Sequence, residues 1–258
     1  MIRLVYVLRR LANMSRHEFQ GYWRDVHGPL VAKHSTTLRA RRYVQTHTLD
    51  DPINDILRQP RGTLEPFDGV AELWWNRENE VAEAIAGPQG RKAAEELVED
   101  ERKFIDFSRS SIYWATEVPQ INPTPENIVA REETPIVKVC FFGHHRPELS
   151  AEEAGLYWRM HHGPLVRSLA QAARIRRYLQ VHRLQTPLDD ALRGPRGRMA
   201  EPFMGHAELW FDRLEMIAAG TTPEGARAGQ LLVEDEAKFA DLKRSSLWVG
   251  KEHVFIDR

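Results

Sequence analysis

The chain has 258 residues, of which 28% are charged and 42% hydrophobic, and its formal net charge at pH 7 is −1. This charge balance gives no indication of a nucleic-acid partner or of an anionic membrane. The single cysteine excludes an internal disulfide framework and a cysteine zinc cluster. No apolar stretch approaches the roughly 20 residues of a membrane span, and the start MIRLVYVLRR lacks the form of a signal peptide. We therefore expect a cytoplasmic protein.

The same module occurs twice along the chain. YWRDVHGPLV begins at Tyr22 and YWRMHHGPLV begins at Tyr157, an offset of 135 positions (157 − 22). The offset recurs at two PRG motifs and at two VEDE motifs, so the duplicated unit is domain-sized and far longer than a solenoid repeat. We expect one unit at residues 1–117, a proline-containing linker at 118–134 and a second unit at 135–258.

In chain order, each copy has the pattern strand, helix, strand, loop, strand, helix, strand. IRLVYVLR and IVKVCFFGH are rich in β-branched and aromatic residues, which favours strands. SRHE and SAEE are capping boxes before the first helix of each copy. RRYVQTHTL, GVAELWW and RSSIYWATE, with their counterparts RRYLQVHRL, GHAELWF and RSSLWVGKE, follow as strands. The order βαββαβ is that of the ferredoxin-like unit, so we predict an α+β fold of two such units in tandem, packed face to face as a barrel.

The proline of each HGP motif disturbs the first helix. Pro29 cannot donate the helical hydrogen bond, and its ring clashes with the carbonyl four residues earlier. We expect the helix to stop or kink at His27, and at His162 in the second copy, so that the imidazole lies at a helix C-terminus. Either the bend only wraps the helix around the sheet, or it presents a histidine for catalysis or ligand binding.

Strand alternation predicts that polar residues line the barrel. Tyr43 and His47 share one face of their strand, and Glu72 and Trp74 share one face of theirs. If both faces lie opposite the helices, His47 and Glu72 meet in an apolar cavity and form an acid–base couple near neutral pH. The alternative is a buried hydrogen bond without a catalytic role. The second copy repeats the pattern with Tyr178, His182, Glu208 and Trp210.

The acidic VEDE segments are the remaining candidates. Asp100 and Asp235 lie on predicted helices, where charges usually form a solvated face, although both copies contain the tetrapeptide. No dinucleotide-binding, P-loop, esterase or zinc-protease motif is present. The two HH pairs lack a third ligand at metal spacing. The sequence therefore predicts neither a metal nor an organic cofactor.

Together these segments resemble the EthD domain of the dimeric α/β-barrel superfamily. The resemblance rests on the N-terminal strand, Phe19, Tyr22-Trp23, HGPLV, RRYVQTH, AELWW and EDERKFIDFSRSS, and it covers both units. Ala154 in the second copy departs from Phe19 in the first. Relatives usually pair as homodimers, so this chain resembles a fused dimer. The superfamily includes cofactor-independent polyketide cyclases, decarboxylases, quinone-forming monooxygenases and lactone isomerases, and also haem enzymes. The residues that the resemblance carries over are His27, His162, Asp100 and Asp235.

We expect a cofactor-free enzyme that acts on an aromatic or hydrophobic small molecule of catabolism or polyketide-type metabolism. The reaction would be cyclisation, dehydration, decarboxylation or isomerisation, with His47 and His182 as general bases. The expected catalytic residues are His27, His47, Glu72, Asp100, His162, His182, Glu208 and Asp235, and the expected substrate-binding residues are Tyr43, Trp74, Tyr178 and Trp210. Alternatives are a cofactor-free monooxygenase, a non-catalytic ligand-binding or stress-related module, and a haem protein. One or both halves could be active, and self-association beyond the fused pseudo-dimer stays open.

Overall fold

A computed structural model describes residues 1–124, 127–217 and 222–258. Both halves contain the predicted strands and main helices, with short additional helices in the connections. The strands are β1 (Ile2–Leu8), β2 (Arg42–Thr48), β3 (Gly69–Trp75), β4 (Ser111–Ile121), β5 (Val137–His145), β6 (Arg177–Leu184), β7 (Gly205–Phe211) and β8 (Ala240–Asp257). The helices are α1 (Arg16–Tyr22), α2 (Gly28–Lys33), α3 (Ile53–Arg58), α4 (Glu78–Ala86), α5 (Pro88–Glu101), α6 (Ala151–Tyr157), α7 (Gly163–Leu169), α8 (Asp189–Arg193) and α9 (Pro223–Glu236).

The eight strands close into one antiparallel barrel in the order β1-β3-β2-β8-β5-β7-β6-β4. Each half contributes four neighbouring strands, and the halves join through the pairs β2–β8 and β4–β6. This confirms the predicted tandem ferredoxin-like units and their barrel. β4 continues into the predicted linker as far as Ile121, because β6 of the other half supplies backbone partners that outweigh the tendency of Pro119 to interrupt a strand.

Both predicted capping boxes are present. The Ser15 side chain accepts from the Glu18 amide at 3.2 Å, and the Glu18 carboxylate accepts from the Ser15 amide at 2.8 Å. Ser150 and Glu153 make the same two bonds in the second half. The boxes satisfy amides that the first turn of a helix leaves free, and they fix where α1 and α6 begin.

The predicted stop of the helix at His27 is wrong, because the helical backbone continues into α2. Trp23–His27 form a π-helical turn between α1 and α2, and Pro29 occupies the first turn of α2. A π turn shifts the hydrogen-bond register, so the proline is accommodated without ending the helix. The second half has the same π turn at Trp158–His162. Each HGP histidine is therefore buried inside a continuous helical segment rather than at a helix C-terminus.

The helices cover the outside of the barrel. In the first half they bury Phe19, Trp23 and Val31 against the outer face of the sheet, which contributes Tyr43 and Trp75. The second half has an equivalent core. Within the described ranges, no helix is both long and apolar enough to cross a membrane. Every strand of the barrel thus has an inner face toward the barrel axis and an outer face toward helices, and a site can lie on either side of the sheet.

Candidate functional site

The predicted His47–Glu72 couple is wrong because the two side chains lie on opposite faces of the sheet. In the β2–β3 register Glu72 lies opposite Val44, so it shares the face of Val44 and not that of His47. The same parity separates His182 from Glu208 in the register of β6 and β7. A shift of one residue in the assignment of faces moves every side chain of a strand to the other side. The glutamates point into the barrel and the histidines point toward the helices.

His47 and His182 pack behind the first helix of their halves. His47 Nε2 lies 2.8 Å from Gln45 Oε1, and its ring stacks on Trp23 at 4.4 Å between centroids. His182 Nε2 lies 3.1 Å from Gln180 Oε1. Burial lowers the pKa of His47 well below its usual value and that of His182 to about 4. Within the described ranges, neither ring lines either of the two large cavities, so neither is placed to serve as their general base.

Ion pairs fill the centre of the barrel, where the sequence predicted an open cavity. Glu72 accepts from Arg3 and, at 2.9 Å, from Lys138 Nζ. Glu208 accepts from Arg3 at 2.5 Å and pairs with Lys138, which also lies 3.3 Å from Glu252. Burial alone would raise the pKa of Glu72, but Arg3 and Lys138 outweigh it and lower that pKa to about 2. The cluster joins the halves, because Arg3 and Glu72 belong to one and the other three to the second.

One group inside this cluster has the spacing of metal ligands. Glu72, His206 and Glu208 each bring one ligand atom within 4.8 Å of the other two. Arg3 lies among them, donating to both carboxylates and placing Nη2 3.3 Å from His206 Nε2. Lys138 pairs with the same two carboxylates. A divalent ion would have to displace two buried and bonded cations, so these residues form a salt-bridge cluster rather than a prepared metal site.

The four aromatic residues predicted to bind substrate separate into two pairs. Trp74 and Trp210 lie inside the barrel, where a cation from β1 or β5 packs on each ring. Tyr43 and Tyr178 lie on the outer face of the sheet and line cavities beneath the helices. Only the tyrosines therefore remain candidates for contact with a ligand in those cavities.

Two large cavities lie between the sheet and its helices, one in each half. The first cavity has a volume of about 340 Å³ and the second about 540 Å³. Their walls are mainly apolar, and each contains one HGP histidine. The wall of the first cavity includes Leu4, Tyr6, His27, Tyr43, Leu73 and Val98. The wall of the second cavity includes Val139, Phe141, His162, Tyr178, Leu209 and Val233. Concave, mainly apolar sites with few polar groups are typical of small-molecule binding.

An ionised aspartate holds the histidine of the first cavity. His27 Nδ1 lies 2.8 Å from Asp100 Oδ2, and both side chains are buried. The other oxygen of Asp100 accepts from Tyr22 Oη at 2.7 Å and from Lys103 Nζ at 3.0 Å. The hydrogen bond to His27 holds the pKa of the Asp100 carboxyl far below its usual range, against the opposing effect of burial. Asp100 is therefore a partner of His27 and not part of the solvated face that was the alternative.

The second cavity repeats this arrangement. His162 Nδ1 lies 2.8 Å from Asp235 Oδ2, while Tyr157 Oη and Lys238 Nζ lie 2.8 and 3.0 Å from Asp235 Oδ1. The hydrogen bond to His162 lowers the pKa of Asp235 well below its usual range. A carboxylate that accepts from Nδ1 places the imidazole lone pair at Nε2 in the neutral tautomer. The sequence singled out all four His and Asp residues, and the structure brings them together as two pairs.

Each cavity is closed by a segment from the opposite half. Arg61, which follows α3, makes a bidentate pair with Glu236 at 2.6 and 2.9 Å beside the second cavity. Arg196, which follows α8, makes the equivalent pair with Glu101 at 2.7 Å for both bonds beside the first cavity. Neither cavity is complete without the other half of the chain.

Neither these Arg–Glu pairs nor Tyr6 are among the site residues predicted from the sequence. A signal for the pairs was present, because the PRG motif and the last residue of VEDE occur in both copies. Sequence spacing could not show that a PRG motif of one half meets a VEDE segment of the other. Tyr6 carries no such signal, since Phe141 takes its place in the second copy.

The chain matches a known domain family, and its fold is similar to that of solved structures. The EthD domain model matches residues 11–108 and again residues 146–243. None of the curated proteins compared with the chain matches it. A solved structure of an anthrone oxidase-like protein is 9% identical, with a TM-score of 0.58 and coverage of 98% of this chain and 93% of that chain. At that identity the likeness shows the fold alone.

An ethyl tert-butyl ether D (EthD) family protein from Bacillus halodurans C-125 is 23% identical, with a TM-score of 0.32 and coverage of 46% of this chain and 99% of that chain. A dimeric ferredoxin-like protein of unknown function from Bacteroides fragilis NCTC 9343 is 16% identical, with a TM-score of 0.31 and coverage of 46% and 97%. The family match spans most of both halves. The chain therefore belongs to the EthD domain family and contains two copies of the domain.

Proposed function

We propose that this chain is an enzyme that binds an aromatic or otherwise hydrophobic small molecule in its cavities and moves a proton within it without a cofactor. The observation that carries the proposal is the histidine in each cavity wall, held at 2.8 Å by an ionised aspartate. An imidazole oriented in this way is typical of a general base, and apolar walls exclude competing water. The proposed base is therefore His27 in the first half and His162 in the second, in place of His47 and His182.

The proposed chemistry follows from the two ring nitrogens. In the first cavity, Asp100 fixes the Nδ1 proton of His27, so Nε2 accepts a proton from an acidic C–H or O–H of the ligand. The resulting imidazolium is stabilised by the Asp100 carboxylate, in the way that the aspartate of a catalytic triad stabilises its histidine. Nε2 then returns the proton to another atom of the ligand. Isomerisation, cyclisation and dehydration can all begin with this transfer.

The test uses 2-tetralone, an aromatic ketone with acidic α-protons, as the probe in D₂O. We expect the protein to accelerate α-proton exchange, measured by NMR. His27→Asn combined with His162→Asn should reduce the acceleration by about 10²–10⁴-fold, the usual contribution of a positioned general base. The matched control is His34→Asn, because His34 pairs with Glu96 at 2.9 Å and links α2 to α5 without lining the cavity. Exchange that survives the double substitution would refute the assignment.

The same experiment separates the alternative functions. Oxygen uptake during turnover of the probe, followed with an oxygen electrode, would favour a cofactor-free monooxygenase. Saturable binding of 2-tetralone with exchange no faster than in buffer would favour a non-catalytic ligand-binding module. Proton exchange without oxygen uptake is the result expected from the proposed chemistry.

A further inference from the structure

The π turn of each half lets a tyrosine and the cavity histidine bond to the same aspartate. Tyr22 and His27 are five positions apart, and a regular α-helix would place two such side chains about 140° apart around its axis. The π turn between them contains an extra residue, because the Gly28 amide bonds to the carbonyl of Trp23, five residues earlier. Tyr22 and His27 therefore lie on one side of the helical segment, where both reach Asp100.

The second half repeats this arrangement although its exposed residues differ. Tyr157 and His162 are again separated by a π turn, and both lie 2.8 Å from oxygens of Asp235. The exposed residues inside the two turns, first half before second, are Asp25 and Met160, and Val26 and His161. The His161 ring also packs on Tyr157, with 4.9 Å between ring centroids. The first half is therefore the simpler place to measure what the tyrosine does.

The two oxygens of the Asp100 carboxylate have different partners. Oδ2 lies 2.8 Å from His27 Nδ1, whereas Oδ1 accepts from Tyr22 Oη and Lys103 Nζ. The terminal torsion of an aspartate is broad, so a carboxylate without donors on Oδ1 could turn away from the imidazole. Lys103 is 60% exposed and its stem is flexible. The tyrosine is therefore the more rigid of the two donors that hold the carboxylate.

A buried phenyl ring supports both residues that bond to Asp100. The Phe104 ring lies 5.2 Å from that of Tyr22 and 5.1 Å from that of His27, measured between centroids. His27 lines the first cavity, whereas Tyr22 is not among the described residues of its wall. The Tyr22 hydroxyl is thus placed to act on the aspartate and not on a ligand.

We propose that Tyr22 and Tyr157 are positioning residues for the two cavity histidines. Each hydroxyl holds its aspartate so that the other carboxylate oxygen faces Nδ1 of the histidine. By donating to the carboxylate, the hydroxyl also offsets part of the negative charge that favours the imidazolium, so the histidine stays available as a neutral base. The inference rests on the proposed function for the use of His27 and His162 as bases, and it adds a role for the tyrosine and the π turn.

The first test measures the histidine directly in Tyr22→Phe, which removes the hydroxyl and keeps the ring on Phe104. The imidazole signals of His27 in NMR spectra are identified as those lost in His27→Asn. We expect the midpoint of their pH titration to move up by about 0.5–1 unit, because a carboxylate with one donor fewer stabilises the imidazolium more strongly. The titration of His162 should not move, since its own tyrosine is intact.

The second test uses the α-proton exchange of 2-tetralone. Tyr22→Phe with Tyr157→Phe should lower kcat about tenfold and leave KM within about twofold, because the hydroxyls orient the base without contacting the ligand. The acidic limb of the pH–rate profile should move to higher pH together with the histidine titration. The matched control is Tyr113→Phe, which removes a buried hydroxyl 3.3 Å from His206 inside the barrel and should change neither measurement.

The two measurements fail separately. An unchanged titration of His27 in Tyr22→Phe would overturn the inference and leave the proton-transfer proposal standing. A native protein that exchanges no α-protons would refute the proposed function, and the titration would still decide whether Tyr22 acts on His27. If Tyr22→Phe does not fold, Lys103→Met removes the other donor to Oδ1 at an exposed position. It should move the midpoint in the same direction, and an unmoved midpoint would overturn the role of these donors.

Discussion

Replacing Lys138 by methionine tests how the centre of the barrel is held together. The Lys138 ammonium is 2% exposed and pairs with Glu72, Glu208 and Glu252. Methionine keeps most of the side-chain length and removes the charge. Glu72 and Glu208 would then share Arg3, and Glu252 would lose the buried cation with which it pairs. Removing one partner of a buried ion pair costs about 3–5 kcal/mol, so we expect the free energy of unfolding at pH 7 to fall by that amount.

The cost should depend on pH with a definite sign. In the native chain, burial alone would raise the pKa of Glu72, but Arg3 and Lys138 bring it down to about 2, and they bring the pKa of Glu208 well below its usual value. These lowered values contribute stability that is present above about pH 4.5 and lost as the pH falls toward 2. Without Lys138, burial dominates and the carboxyl pKa values rise. The Lys138→Met variant should therefore take up a proton on folding. Its loss of unfolding free energy relative to the native chain should then be smaller at pH 5 than at pH 7.

Urea unfolding followed by tryptophan fluorescence at both pH values measures this deficit. The control is Lys33→Met, because Lys33 is 64% exposed and its pair with Glu96 should contribute less than about 1 kcal/mol. Adding Glu208→Gln to the Lys138→Met chain should recover part of the loss, since it removes one uncompensated charge. A deficit below about 1 kcal/mol, or one that is the same at pH 7 and pH 5, would refute the role of the cluster.

Three further outcomes are expected. Gly205→Ala should lower the free energy of unfolding in urea by about 3 kcal/mol, because φ of Gly205 is +153° and a Cβ there would lie 2.2 Å from a carbonyl oxygen of β6. Gly21→Ala is the control, since a Cβ there meets nothing within 4 Å and should stabilise α1 by up to about 1 kcal/mol. Equal effects of the two substitutions would contradict the close approach at Gly205. Burial lowers the pKa of native His182 to about 4, so the unfolded chain binds the proton first and the native chain loses thermal stability as the pH falls from 6.5 to 4. His182→Gln should reduce that loss, measured as the change of the melting temperature with pH. A melting temperature that changes with pH as steeply as in the native chain would contradict this. Arg61→Met should lower the free energy of unfolding in urea by about 3 kcal/mol, because it leaves Glu236 without its bidentate partner. Adding Glu236→Gln should lower it little further, since the two residues act as a unit. Additive losses from the two substitutions would contradict this coupling.

The sequence by itself determined the repeated module, its strands and capped helices, and the pairing of two ferredoxin-like units. These features depend on local patterns such as SRHE, β-branched runs and the offset between the two HGP motifs. The residues of both His–Asp pairs were also identified. Their pairing was not, because His27 and Asp100 are 73 positions apart and meet only where α5 packs against the π turn.

Only the tertiary structure decided which side of the sheet holds the cavities. All of β2 beyond Arg42 is buried, because the barrel covers one face and the helices the other, so alternation of apolar and polar residues does not distinguish inside from outside. The local rule for Pro29 likewise predicted a break but not a π turn, which depends on packing against the sheet. The bonds from Arg61 to Glu236 and from Arg196 to Glu101 join segments of different repeats. Such contacts depend on how the halves close the barrel, a geometry that no local sequence pattern encodes.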